Sequence, residues 1–118
     1  MDNTDDYERN HALLADDTGA LRLSRAYDVL PSGQALGYPQ LRLGAQGHDA
    51  TLENALSELR HYGMKPDRAN AIVRLVARAV AGWKGHFQAR GVSSADIEFL
   101  AQQIDRRALL DPRNAYTG

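Results

Sequence analysis

The chain is expected to be mainly α-helical, with a small β-hairpin near its N-terminus. Three observations predict this. Apolar residues recur at helical spacing through much of residues 49–110. Glycine and proline fall where those stretches would start and stop. Before Asp28, two short apolar runs flank Asp16-Asp17-Thr18-Gly19, residues that favour a turn because Asp bonds neighbouring backbone and Gly accepts positive φ. A length of 118 residues suits one domain with a modest core.

The elements follow in order. His11 to Leu14 and Leu21 to Leu23 supply the two arms of the hairpin. Residues 31–49 contain Pro31, Gly33, Gly37, Pro39, Gly44 and Gly47 and read as a loop, a plain connector or a functional segment, with a short extended piece at Gln40–Leu43. A first helix begins near Asp49–Thr51, either of which can cap it, carries Leu52, Ala55, Leu56 and Leu59, and ends at Gly63. A second starts at Pro66-Asp67 and places Ala69, Ile72, Val73, Val76, Val80, Trp83 and Phe87 on one face. Gly82 and Gly85 weaken its last part and Gly91 stops it; Trp83 and Phe87 are expected in the core. A third begins at Ser93-Ser94 and carries Ile97, Leu100, Ala101 and Ile104. Asp96 and Glu98 near its start and Arg106 and Arg107 near its end both suit the helix dipole. Asp111-Pro112 is expected to break it, leaving Asn114 to Gly118 as a frayed tail.

Composition excludes several functions. There is no cysteine, so disulfides and thiolate chemistry are ruled out. No apolar run is long enough to span a membrane, and the acidic N-terminus is unlike a signal peptide, so a cytoplasmic protein is expected. A net charge of −1 gives no electrostatic drive toward nucleic acid. The charge is uneven, however. Within residues 1–17 six carboxylates face Arg9 alone, for −5, and the remainder sums to +4. The four histidines, His11, His48, His61 and His86, show no zinc spacing. No Ser, His and Asp stand in a visible triad arrangement.

The acidic N-terminus contains a pattern with chemical content. Asp5 and Asn10 are spaced D-x-x-x-x-N, and Asp28 follows beyond the hairpin. That is the order of a kinase catalytic loop, in which the first Asp accepts the substrate hydroxyl proton and the Asn and second Asp hold metal ions. Carboxylate and amide oxygens are hard ligands and suit Mg²⁺ better than zinc. The ordered set Thr4-Asp5-Asp6, Asn10-His11, a hairpin, then Tyr27-Asp28 and Leu30-Pro31 resembles the C-terminal part of the HipA family, the serine/threonine-kinase toxins of bacterial toxin–antitoxin systems. Pro31-Ser32-Gly33-Gln34-Ala35-Leu36-Gly37 and Thr51-Leu52-Glu53-Asn54-Ala55-Leu56-Ser57 resemble that family too.

The resemblance implies the helical C-terminal part of a protein-kinase-like lobe, with residues 1–30 as its catalytic-loop and metal segment and residues 49–110 as its helical body. It implies Asp5 as catalytic base and Asn10 and Asp28 as metal ligands. It also implies phosphoryl transfer from ATP with Mg²⁺ to a protein such as an aminoacyl-tRNA synthetase. Met1 stands four residues before Asp5, which leaves no room for the phosphate-covering loop or the phosphate-contacting Lys. A lobe fragment, inactive alone, is therefore expected, and ATP would be held only if the missing lobe were supplied. The alternative is a non-enzymatic helical module that binds an antitoxin or a complementary kinase half. Surface left bare by an absent lobe predicts a homo-oligomer or a tight complex.

Overall fold

The computed structural model describes residues 3–30 and 38–117. It is mainly helical with one two-stranded antiparallel hairpin, as the sequence predicts. Strand β1 (Leu13–Ala15) pairs with β2 (Leu21–Leu23), Leu13 opposite Leu23 and Ala15 opposite Leu21. The connecting turn is held by one side chain. Asp16 Oδ1 accepts from the Thr18 hydroxyl at 2.6 Å and from the N–H groups of Thr18 and Ala20 at 2.9 and 3.1 Å. Those donors, the Thr18 hydroxyl first, hold the Asp16 carboxyl below its usual pKa. Gly19 takes the left-handed conformation, φ +82°.

The stretch Pro31–Gly37 lies outside the described residues. The extended piece expected at Gln40–Leu43 is not a strand. Leu43 N–H instead donates to the Gly47 carbonyl at 2.9 Å, and a tight turn forms between Gly44 and Gly47. Asn54 builds that turn. Its side chain is fully buried, accepts from Gln46 N–H at 2.8 Å, and donates to the carbonyls of Gly47 and Asp49 at 3.0 and 2.9 Å.

Helix α1 (Leu52–Leu56) is capped by Thr51, whose hydroxyl accepts from Asn54 N–H at 3.0 Å. It is shorter than its apolar spacing predicts. The Ser57 hydroxyl donates to the Asn54 carbonyl at 2.7 Å and accepts from Ala45 N–H at 2.8 Å, which turns the chain at the helix end. The chain continues as a 3₁₀ turn, Leu59–Tyr62, and Gly63 ends it at φ +60°.

The long second helix is two helices, α2 (Pro66–Ala81) and α3 (Trp83–Ala89), broken at Gly82. Gly91 stops α3 at φ +82°, as expected. Helix α4 (Ser94–Ile104) begins at the Ser93 cap, whose hydroxyl accepts from Asp96 N–H at 3.1 Å and donates to the Asp96 carboxylate at 2.6 Å. The C-terminus differs from the sequence expectation. Asp111-Pro112 does not break the chain's helical course, and Asn114 to Thr117 are helical where a frayed tail is expected: α5 runs Arg107–Thr117 with Pro112 inside it. The reason is Arg113, buried and bonded to Asp105 Oδ1 at 2.5 Å and to the Ile104 carbonyl at 3.3 Å. Packing of α5 along α2 completes the anchoring.

Asp105 is the node of this half. Its Oδ1 also accepts from Trp83 Nε1 at 3.1 Å, and its Oδ2 lies 2.7 Å from Lys84 Nζ. Burial pushes its carboxyl up, but the bonds from Lys84, Arg113 and Trp83 outweigh burial and hold it at about 2. Among the described residues the hydrophobic core holds Ala69, Ala77, Trp83 and Ile104, with Phe87 edge-on to Trp83 at 5.4 Å. The molecule is elongated, 48 × 32 × 28 Å. Among the described residues no helix is long and apolar enough to cross a membrane.

Candidate functional site

The site is built on residues 3–11, where the chain doubles back. Asn10 N–H donates to the Tyr7 carbonyl at 2.9 Å and His11 N–H to the Glu8 carbonyl at 3.1 Å, forming the 3₁₀ turn Glu8–Asn10. That turn returns the Asn10 side chain to Asp5. Asn10 Nδ2 donates to the Asp5 carbonyl at 3.4 Å, a long bond that orients the amide more than it stabilises the loop. A carboxamide has a donor end and an acceptor end. With nitrogen committed to the Asp5 backbone, Oδ1 is the end left to accept or to ligate. Asn10 is buried and Asp5 is exposed, so the loop holds the amide within the fold and carries the carboxylate at the surface.

The hairpin delivers Asp28 to the same edge. Ser24 N–H donates to the Ala12 carbonyl at 2.8 Å, extending the pairing past β2. The Tyr27 hydroxyl then donates to the Arg9 carbonyl at 2.8 Å, and Leu30 N–H donates to Asn3 Oδ1 at 3.3 Å. These two bonds lay the segment carrying Asp28 against the segment carrying Asp5 and Asn10. Asp28 sits between the two anchor points with φ +54°, the described non-glycine residue with positive φ. Asp tolerates that conformation better than most residues, at a cost of about 1–2 kcal/mol. Asp28 is exposed.

The neighbouring charges are engaged. Asp6 carboxylate oxygens lie 3.1 and 3.2 Å from His11 Nε2. Arg9 places its guanidinium 4.8 Å from the centre of the Tyr7 ring. His48 Nδ1 is 3.0 Å from the Pro39 carbonyl. Among the described residues no three His, Cys, Asp or Glu side chains gather closely enough to hold a metal. The candidate ligands are instead one carboxylate, Asp28, and one amide, Asn10. Those oxygens fit Mg²⁺, which binds through one or two carboxylates and fills its shell with water and substrate phosphate.

Spacing alone points to Asp5, Asn10 and Asp28 as candidates, but not to Tyr27 and Asn3, whose bonds lay the two segments together. Only the placement of Tyr27 immediately before Asp28 was a signal. With this geometry in hand, comparison with known families decides the kinship: the model for the HipA-like C-terminal domain matches residues 1–83. The chain belongs to that family. The match takes in the whole edge, α1 and α2, and stops at the first residue of α3. No curated protein and no solved structure matches the chain.

Proposed function

We propose that this HipA-like domain supplies the proton-accepting and metal-holding edge of a serine/threonine phosphoryl-transfer enzyme of a toxin–antitoxin system. The observation that carries the reading is the Asn10-to-Asp5 bond, which closes the D-x-x-x-x-N loop while Tyr27 pins the Asp28 segment beside it. In this reading the Asp5 carboxylate accepts the proton of a protein hydroxyl. Asn10 Oδ1 and the Asp28 carboxylate hold Mg²⁺, which neutralises charge on the phosphates. The lysine and glycine-rich loop that position phosphate in kinases are not found in these 118 residues, so the nucleotide half belongs to another segment or another chain.

The test has two parts. Mn²⁺, used as a paramagnetic probe in place of Mg²⁺, should broaden the Asn10 side-chain amide and Asp28 backbone signals first, and Asp28→Ala should abolish that broadening. Radiolabelled ATP should give no transfer by the 118-residue chain near the roughly 1–100 s⁻¹ of kinases. Transfer should appear when the complementary lobe is added and disappear with Asp5→Ala. Broadening centred elsewhere would overturn the metal assignment. Fast transfer by the chain alone, lost in Asp5→Ala and Asp28→Ala, would overturn the divided-enzyme reading.

A further inference from the structure

We propose that the groove between α1, α2 and α5 is a docking site for an amphipathic helix of another protein, apolar on one face and basic at its flanks. The groove has a volume of about 1170 Å³ and an apolar floor that includes Leu52 and Leu56 of α1, Ile72 and Val76 of α2, and Leu109 and Pro112 of α5. Ile72 and Val76 remain 36% and 54% exposed, although the same helix buries Ala69 and Ala77. A cleft walled by helices and floored by apolar side chains is the form that receives a helix through anchors at i, i+3, i+4 and i+7.

Charge sets the chemistry of the flanks. Asp6 and Glu53 line the groove; Asp6 is paired there with His11, whereas exposed Glu53 has no ion pair among the described residues. The two guanidiniums that line it are engaged, Arg42 on Glu58 at 3.0 Å and Arg113 on Asp105. Residues 1–58 carry ten acidic against four basic side chains, a net −6. Most of the chain's own bases lie in residues 59–118, ten against five acids, but a second copy is a poor occupant. The basic face of α2, with Arg68, Arg74 and Arg78 around exposed Leu75, is opposite the groove on the same helix. One copy's ridge in another's groove would repeat head to tail without closing as a pair. Asp6 and His11 of the candidate-site loop reach the groove's edge, but the proposal is tested apart from the phosphoryl-transfer reading, because Val76 belongs to neither the loop nor the hairpin.

The test is fluorescence anisotropy on the 118-residue chain. The probe is a fluorescein-labelled peptide of about 18 residues, five helical turns, with Leu at i, i+3, i+4 and i+7 and Lys elsewhere; a companion carries Glu for Lys. The basic peptide should bind saturably and the acidic one at least about tenfold more weakly, a difference of about 1.4 kcal/mol. Val76→Asp should weaken binding by about tenfold or more, and the milder Val76→Ala should weaken it measurably in a chain whose circular dichroism is unchanged. Leu75→Asp should leave it within about twofold, since surface changes away from a contact have small effects. Glu53→Lys should shift preference toward the acidic peptide. Equal binding of both peptides, no saturable binding, or equal loss in Leu75→Asp would overturn the proposal. So would self-association that sedimentation shows to be abolished by Val76→Asp, because a second copy would then occupy the groove.

Discussion

Replacing Asn54 with Ala should unfold the turn Gly44–Asp49 and lower the stability of the whole chain. The side chain is fully buried and makes three hydrogen bonds to backbone, to Gln46 N–H and to the carbonyls of Gly47 and Asp49. A net contribution of about 1 kcal/mol per bond gives about 3 kcal/mol. Stranding all three backbone partners would cost more, but Gln46 and Asp49 are exposed and can find water once the turn opens. The expected loss is therefore about 2–4 kcal/mol, a large share of the roughly 5–15 kcal/mol of a typical domain. For a chain of this size that lowers Tm by about 10 °C. Thermal unfolding followed by circular dichroism, with urea denaturation as a second measure, would read it. Asn54→Asp sharpens the test. It keeps the acceptor for Gln46 but replaces the amide donor with an anionic oxygen facing two carbonyls. It should be at least as destabilising as Ala at neutral pH and should recover in part on acidification, when the protonated carboxyl can donate. A loss under about 1 kcal/mol in Asn54→Ala, or a wild-type Tm in Asn54→Asp at neutral pH, would refute the reasoning.

Two further outcomes rest on Asp105 and on Gly44. Asp105 has a folded-state pKa of about 2 against an ordinary 3.8, so its contribution is complete above about pH 4 and is lost as pH falls toward 2. The shift corresponds to about 2 kcal/mol, and about 1–2 after allowing for the half-exposed Lys84 partner; urea denaturation between pH 2 and 5 should show that slope in the native chain and not in Asp105→Asn. A Cβ added at Gly44 would collide with the Asn54 backbone carbonyl and the Ser57 hydroxyl. Gly44→Ala should therefore cost about 1–3 kcal/mol by overpacking, and an unchanged midpoint would show that the turn yields freely.

What was legible in the sequence was what is decided locally. The Asp16–Gly19 turn is closed by Asp16 on its own neighbours, and Gly63 and Gly91 end helices through their own positive φ. The D-x-x-x-x-N spacing and Asp28 could likewise be read directly. What failed to read depended on partners far along the chain. Gly82 only weakens a helix by composition; the new helix beyond it presents Trp83 to Asp105, 22 residues later. Pro112 lacks an N–H and should stop a helix, yet α5 runs through it because Arg113 reaches back to Asp105. The bond from Tyr27 to Arg9 spans 18 residues, and no periodicity announces it.

The balance of forces in this chain has a consequence for binding. Among the described residues the hydrophobic core includes two alanines, Ala69 and Ala77, which contribute little burial. Polar ties at Asn54 and Asp105 therefore carry a larger share of stability than usual, and much apolar surface on α1, α2 and α5 stays open to the groove. A helix that fills the groove binds only the folded chain, so it must stabilise it. At 100 times its Kd the gain is about 2.7 kcal/mol, close to what Asn54→Ala is expected to remove. The basic amphipathic peptide should consequently restore most of the lost Tm of Asn54→Ala. It should not restore it in the double variant Asn54→Ala, Val76→Asp, where the turn is broken in the same way and the groove is closed to an apolar face. Equal rescue of both would mean that the peptide acts away from the groove. No rescue of the single variant at saturating peptide would mean that the turn and the groove unfold as separate units, and that partner binding cannot compensate for a thin core.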